Sequence, residues 1–275
     1  MDLQTDQQIT WCPGCGNHSI FGALKMAITA VVETRHGVSL HDVVFTYGIG
    51  CHGHMVNYLN TYGFEGLHGR PIPLAEGIKL ANPKLTVFVV AGDGDTFGEG
   101  LNHFVQACRR NIDINIIVHD NRVYGLTTGQ TSPTSDWGYR SKTTPAGSIE
   151  SPINGPALAL SSSATFVGQE VSSDIPNLTN TLLKAISHQG VSYVNILQNC
   201  QTFNKVNTVD WFRKNTTRVE MNGRSSLRAD AINTVISSKL IPLGIIYQEK
   251  KPTYSDLVVR DKKLVEFDKL REYFK

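Results

Sequence analysis

The chain has 275 residues, 40% of them hydrophobic and 18% charged, with a formal net charge of +2. That is enough apolar content for one large core or two small ones, and too little charge to mark a nucleic-acid-binding surface. The locally basic Gln248–Pro252 and Arg260–Lys263 segments have Asp and Glu interleaved around them and read as solvated faces.

The first ten residues are polar and acidic, without the basic and apolar regions of a signal peptide. No apolar run is long enough to span a bilayer, so a soluble, cytoplasmic protein without membrane contact is expected. Gly16 to His36 is expected to be a helix, from apolar residues at Ile20, Phe21, Leu24, Ala27, Ile28, Val31 and Val32. Asp42 to Tyr47 is a short buried strand closed by a Gly48–Gly50 turn. Arg70 to Ala81 is helical and stopped by Asn82-Pro83, and Leu85 to Ala91 is a continuously apolar strand of the kind parallel sheets bury. Glu99 to Arg110 is the next helix and Ile112 to Val118 the next strand.

Gly125 to Pro156 is rich in Ser, Thr, Gly and Pro and reads as a long loop covering a cofactor. Ala157 to Leu160 starts a helix, Ala164 to Gly168 is a strand, Asn177 to Gln189 a helix and Ser192 to Leu197 the last clear strand. Thr202 to Arg224 reads as irregular, Ser226 to Lys239 as helical, and the remainder as a polar tail. The alternation predicts an open, doubly wound parallel sheet over residues 1–200, with residues 201–275 as an irregular and helical extension packed on it or on a partner.

In such a sheet every strand ends at one edge, where ligands bind. Cys51 follows the first strand, Gly92-Asp93-Gly94-Asp95 the second, His119-Asp120-Asn121 the third and Cys200 the last. Cys12 and Cys15, in a W-C-P-G-C-G turn, precede a helix that returns to the opposite edge, so they belong with them. Cys108, late in its helix, falls at the far edge and reads as a small buried apolar residue. Four cysteines are thereby separated from the fifth.

Taken alone, C-P-G-C suits a redox dithiol, half a zinc site or a plain turn. With Cys51 and Cys200 it becomes a four-thiolate site, for which ligand count leaves zinc and an iron–sulfur cluster both open. G-D-G-D suits an ordinary tight turn. Its place between an apolar strand and a helix N-terminus, echoed by Asn121, suits Mg²⁺ and a diphosphate better. No G-x-G-x-x-G follows the first strand, which excludes a dinucleotide fingerprint. His52 and His54 suit either a site or a turn, His68 sits at a helix start on the ligand edge, and Trp137 and Tyr139 read as packing residues.

The ordered set W-C-P-G-C-G, Y-G-I-G-C, L-H-G-R, G-D-G-D, H-D-N-R-V-Y-G-L-T-T-G-Q and the late cysteine resembles the beta subunit of 2-oxoacid:ferredoxin oxidoreductases, from Cys12 to about Cys200. The resemblance implies that Cys12, Cys15, Cys51 and Cys200 hold a 4Fe-4S cluster, and that Asp93, Asn121 and the Val123 carbonyl hold Mg²⁺. It implies further that Gly94, Asp95, Gly125, Leu126 and His68 contact the diphosphate of thiamine diphosphate, with Ile49, Gly50, Cys51 and His52 along the thiamine. The implied activity is coenzyme A-dependent oxidative decarboxylation of a 2-oxoacid, pyruvate among the candidates, with electrons passing through the cluster to ferredoxin. The implied partners are an alpha subunit supplying the other half of the thiamine site and further gamma and delta ferredoxin-like subunits. One departure is Thr128, where many members carry Lys, and it leaves the preferred 2-oxoacid open. A non-oxidative thiamine diphosphate decarboxylase or synthase subunit, and a zinc-stabilised binding protein, are the rival readings.

Overall fold

A computed structural model describes residues 3–34, 39–219 and 227–258. The expected end of the first helix at His36 and the basic Arg260–Lys263 segment lie outside them. The helices are α1 (Gly16–Thr34), α2 (Pro71–Ala81), α3 (Leu101–Arg110), α4 (Gly155–Ser161), α5 (Ile175–Ser187), α6 (Val209–Asn215), α7 (Arg228–Ser237) and α8 (Tyr254–Leu257). The strands are β1 (Val43–Tyr47), β2 (Tyr62–Glu65), β3 (Thr86–Gly92), β4 (Asn115–Asp120), β5 (Val123–Tyr124), β6 (Gln130–Thr131), β7 (Phe166–Val171), β8 (Ser192–Leu197), β9 (Thr216–Arg218) and β10 (Ile241–Gln248).

Eight strands form one sheet in the order β2-β1-β3-β4-β8-β7-β10-β9, while β5 and β6 make a separate hairpin. From β2 to β7 all neighbours are parallel. The interior strands β1, β4, β7 and β8 are almost wholly buried because helices cover both faces. On one face α1 and α5 pack together over Phe45, Phe88, Ile117 and Val194, with Phe45 and Phe88 stacked at 4.6 Å. On the other, α2, α3, α4 and α7 enclose Val89, Phe104, Ile116 and Tyr193. Each such large side chain taken from water contributes about 1.5–3 kcal/mol.

Local signals set the element ends. Pro71 opens α2 at a position where its missing N–H is not needed. Asp174 and Asn154 cap α5 and α4 by accepting the N–H groups of Asn177 and Ala157. Asn111 closes α3 in the left-handed conformation, φ 52°.

Several strands depart from the sequence reading: β6 lies in the stretch read as a loop, and β9, with α6, in the stretch Thr202–Arg224 read as irregular. β2, exposed along its length, pairs parallel with β1 at the sheet edge. β10, in the region expected to be a polar tail, pairs antiparallel with β7 across a register shift between Ile245 and Tyr247. Residues beyond 200 thus extend the sheet itself.

Candidate active site at the carboxyl edge of the sheet

Because β1, β3, β4 and β8 are parallel, the turns after Tyr47, Gly92, Asp120 and Leu197 emerge together. A cleft there is lined by Ile49, Gly50, Cys51, His52, His68, Asp93, Gly94, Asp95, Asn121, Val123, Gly125 and Leu126, along with Gly92, Tyr124 and Thr127. Every residue that the sequence assigned to thiamine diphosphate or Mg²⁺ therefore borders one cavity. A larger cleft at the opposite edge, near Lys79 and His188, contains none of them. The edge cleft encloses only about 60 Å³, well below the ~300 Å³ at which small-molecule pockets begin.

Asp93 follows β3 and opens the π-helix Gly94–Glu99 that leads toward α3, an irregularity frequent at functional sites. Its Oδ2 accepts hydrogen bonds from Ser132 (2.5 Å) and Thr134 (2.6 Å) in the long loop. Burial pushes Asp93 up to about 7, and the neighbouring Asp120 carboxylate adds to the shift. Burial raises Asp120 too. Two enclosed carboxyls side by side create a demand for positive charge. Asn121 Oδ1 accepts the Val123 N–H at 3.0 Å, folding this turn back on itself. Asp93, Asn121 and the Val123 carbonyl are hard oxygen donors, the chemistry Mg²⁺ takes.

Asp95 ties three turns together. Its Oδ1 accepts the N–H groups of Gly69 (2.7 Å) and Ile49 (3.3 Å) and lies 2.8 Å from His68 Nδ1. The His68 contact is not aligned as a hydrogen bond, so Nδ1 is left without one, and Asp95 Oδ2 has none either. Gly94 has to be glycine, since a Cβ there would overlap the Tyr124 ring. His52 is buried, and burial together with the nearby imidazole of His119 holds it well below the usual range, hence neutral. Its Nε2 has no hydrogen-bond partner. His54 points elsewhere, toward Thr10 at 3.1 Å.

The four cysteines meet beside this cleft. A Cβ on Gly125, a cleft residue, would lie 3.8 Å from the sulfurs of both Cys51 and Cys200. Burial first, then the neighbouring Cys15, Cys200 and Cys12, raise the Cys51 thiol to about 11. Cys15 is raised likewise, by burial first. None of the four is in a disulfide, and exposure falls from Cys12 through Cys15 and Cys51 to buried Cys200. Cys108 is buried in the core below α3, as expected.

Two residues outside the expected set hold the sulfur loops in place. Trp11 donates its indole N–H to the Cys51 carbonyl at 2.6 Å, joining the first cysteine turn to the second loop. Asn199 donates to the Gly14 carbonyl at 2.8 Å, and its own carbonyl accepts from Gly16, joining that turn to the third. Each directly precedes a cysteine, the one signal the sequence offers. Tyr139 packs with Val123, Cys200 and Phe203, whereas Trp137 is 65% exposed and is not the packing residue expected.

The fold is that of a thiamine diphosphate-binding domain: residues 48–196 match the family described as thiamine pyrophosphate enzyme, C-terminal TPP binding domain. Residues 200–262 match the family formed by the C-terminal part of the pyruvate ferredoxin oxidoreductase beta chain. Over 269 residues the chain is 40% identical to the 2-oxoacid:ferredoxin oxidoreductase subunit beta of a Sulfolobus species, covering 92% of this chain and 87% of that one. It is 44% identical to the 2-oxoglutarate oxidoreductase subunit KorB of Mycobacterium tuberculosis over 74% of this chain and 53% of that protein. It superposes with a TM-score of 0.89 and 32% identity on a 2-oxoglutarate:ferredoxin oxidoreductase from Magnetococcus marinus, solved with 2-oxoglutarate, coenzyme A and succinyl-CoA bound, over 99% and 89% of the two chains. The chain belongs to the beta subunits of 2-oxoacid:ferredoxin oxidoreductases. No helix among the described residues is long and apolar enough to cross a membrane.

Proposed function

We propose that this subunit holds thiamine diphosphate, Mg²⁺ and a 4Fe-4S cluster side by side. Together with an alpha subunit, it carries out coenzyme A-dependent oxidative decarboxylation of a 2-oxoacid in the cytoplasm, passing electrons to ferredoxin. The observation that carries the reading is Gly125, which borders the cofactor cleft on one side and the sulfurs of Cys51 and Cys200 on the other. When bound, thiamine diphosphate supplies the electron sink for loss of CO₂ and the cluster a one-electron relay.

The residues fit these groups. Asp93, Asn121 and the Val123 carbonyl would hold Mg²⁺, and the buried Asp93–Asp120 pair supports a cation there. Backbone N–H groups at Gly94 and Asp95, at a helix start, and at Gly125 and Leu126 would meet the diphosphate, with His68 beside them. Ile49, Gly50, Cys51 and His52 would line the thiamine. His52, neutral and with an unpaired nitrogen, would present a polar atom without a charge. Cys12, Cys15, Cys51 and Cys200 would ligate the cluster. The raised thiols of Cys15 and Cys51 form thiolates only where positive charge is supplied, which a metal core would do.

An alpha subunit would enclose the cofactor, and residues 201–275 would pack on the 1–200 domain or on that partner. Further gamma and delta ferredoxin-like subunits belong to the same proposal. The test is anaerobic co-purification with the alpha subunit and a panel of pyruvate, 2-oxoglutarate and branched-chain 2-oxoacids, following acceptor reduction. Reduction that requires both 2-oxoacid and coenzyme A supports the proposal. Decarboxylation without acceptor reduction would favour the non-oxidative alternative.

A further inference from the structure

We infer that the face around Cys12 is the docking surface for an acidic one-electron carrier, and that Arg140, Lys142 and Lys205 attract it; the inference rests on the cluster reading above. The four sulfurs are graded. Cys51 and Cys200 adjoin the cofactor cleft through Gly125, while Cys12 is exposed, as are Pro13 and Gly14 after it. Electrons that enter from the cleft side leave most directly at Cys12.

The segments bordering this exit are tied to one another. Gln201 lies against Gly14, its Cγ 3.8 Å from where a Cβ would stand, and Lys205 donates its ammonium to the Gln201 carbonyl at 2.5 Å. Tyr139, packed against Cys200, donates its hydroxyl to the Phe203 carbonyl at 3.0 Å, which brings the 138–149 loop alongside. Residues 11–18, 138–149 and 201–208 contain Arg140, Lys142 and Lys205 and not one Asp or Glu, in a chain whose whole formal charge is +2. All three cations are exposed. Exposed Val206 adds an apolar contact beside Lys205.

Like-signed charge around an electron exit raises the encounter rate with a carrier of opposite sign, and the effect weakens with salt. Each docking moves one electron from the thiolate-held centre to an oxidised carrier. The two-electron oxidation of one 2-oxoacid therefore reduces two carrier molecules.

The experiment uses the assembled enzyme carrying Arg140→Glu, Lys142→Glu and Lys205→Glu together. Initial rates are measured with a small acidic ferredoxin over a range of ionic strengths, and separately with a small neutral redox dye. The expected result is a rise in KM for ferredoxin of about tenfold or more and a flattened salt dependence, with dye turnover and iron content as in the unaltered enzyme. An unchanged ferredoxin KM and salt slope, with dye turnover intact, overturns the inference. If the triple Glu enzyme loses its iron, the Arg140→Gln, Lys142→Gln, Lys205→Gln enzyme decides by the same two readings. Unaltered enzyme that reduces neither acceptor with any 2-oxoacid refutes the underlying functional reading instead.

Discussion

Replacing Trp11 by Phe removes one hydrogen bond that joins two sulfur loops, and its cost follows from the contacts. The indole N–H reaches the Cys51 carbonyl at 2.6 Å. Left without a donor in a partly buried setting, that carbonyl costs about 1–3 kcal/mol. The smaller ring also leaves unfilled space among His18, Phe21 and Tyr58, whose rings stand 5.4, 5.8 and 5.0 Å from Trp11, for about 1–2 kcal/mol more. The expected loss is thus about 2–5 kcal/mol, read as an anaerobic urea midpoint, with a faster loss of iron to a chelator. Phe21→Leu in the same aromatic group serves as control, because it empties comparable space while leaving the Trp11 to Cys51 hydrogen bond in place. It is expected to lower stability while iron loss stays near that of the unaltered protein. Equal iron loss in the two variants would refute the claim that Trp11 positions Cys51, and would reduce it to a packing residue.

Arg218→Ala leaves the fully buried Glu170 carboxylate with Thr181 as its remaining side-chain partner. A loss of about 3 kcal/mol in urea unfolding is expected, at the low end for a broken buried pair because Arg218 is partly solvated. Glu170→Gln with Arg218→Met should recover most of it. Adding Mg²⁺ and thiamine diphosphate to stripped enzyme at about 100 times their dissociation constant should stabilise it by roughly 2.7 kcal/mol, raising the melting midpoint. Asp93→Asn should abolish most of that rise. Gly94→Ala drives a methyl into the Tyr124 ring and is expected to cost about 1–3 kcal/mol, with Tyr124→Leu on the same background recovering part of it.

The parallel half of the sheet was legible because its strands are buried on both faces and read as unbroken apolar runs; β8 matches its expected limits. The convergence of the candidate site's turns was legible for the same reason, since strand ends in a parallel sheet fix which turns meet. β2 escaped because Y-G-F-E is short, exposed and held only by its pairing with β1. β10 escaped because Pro242 and Gly244 interrupt it, and its register shift beside β7 breaks the period. Ser132 and Thr134 lay in a loop read only for its composition, and nothing local marked them as partners of Asp93, about forty residues earlier. Trp137, expected to pack, points to solvent; an aromatic in a loop carries no period that tells the two apart.

The central claim is tested most directly by counting iron and acid-labile sulfide in the anaerobically assembled enzyme, before and after Cys200→Ala. A fall of about four iron and four sulfide per beta chain, with the thiamine diphosphate content retained, is expected. An unchanged iron count, or zinc recovered in its place, would contradict a cluster held by Cys12, Cys15, Cys51 and Cys200.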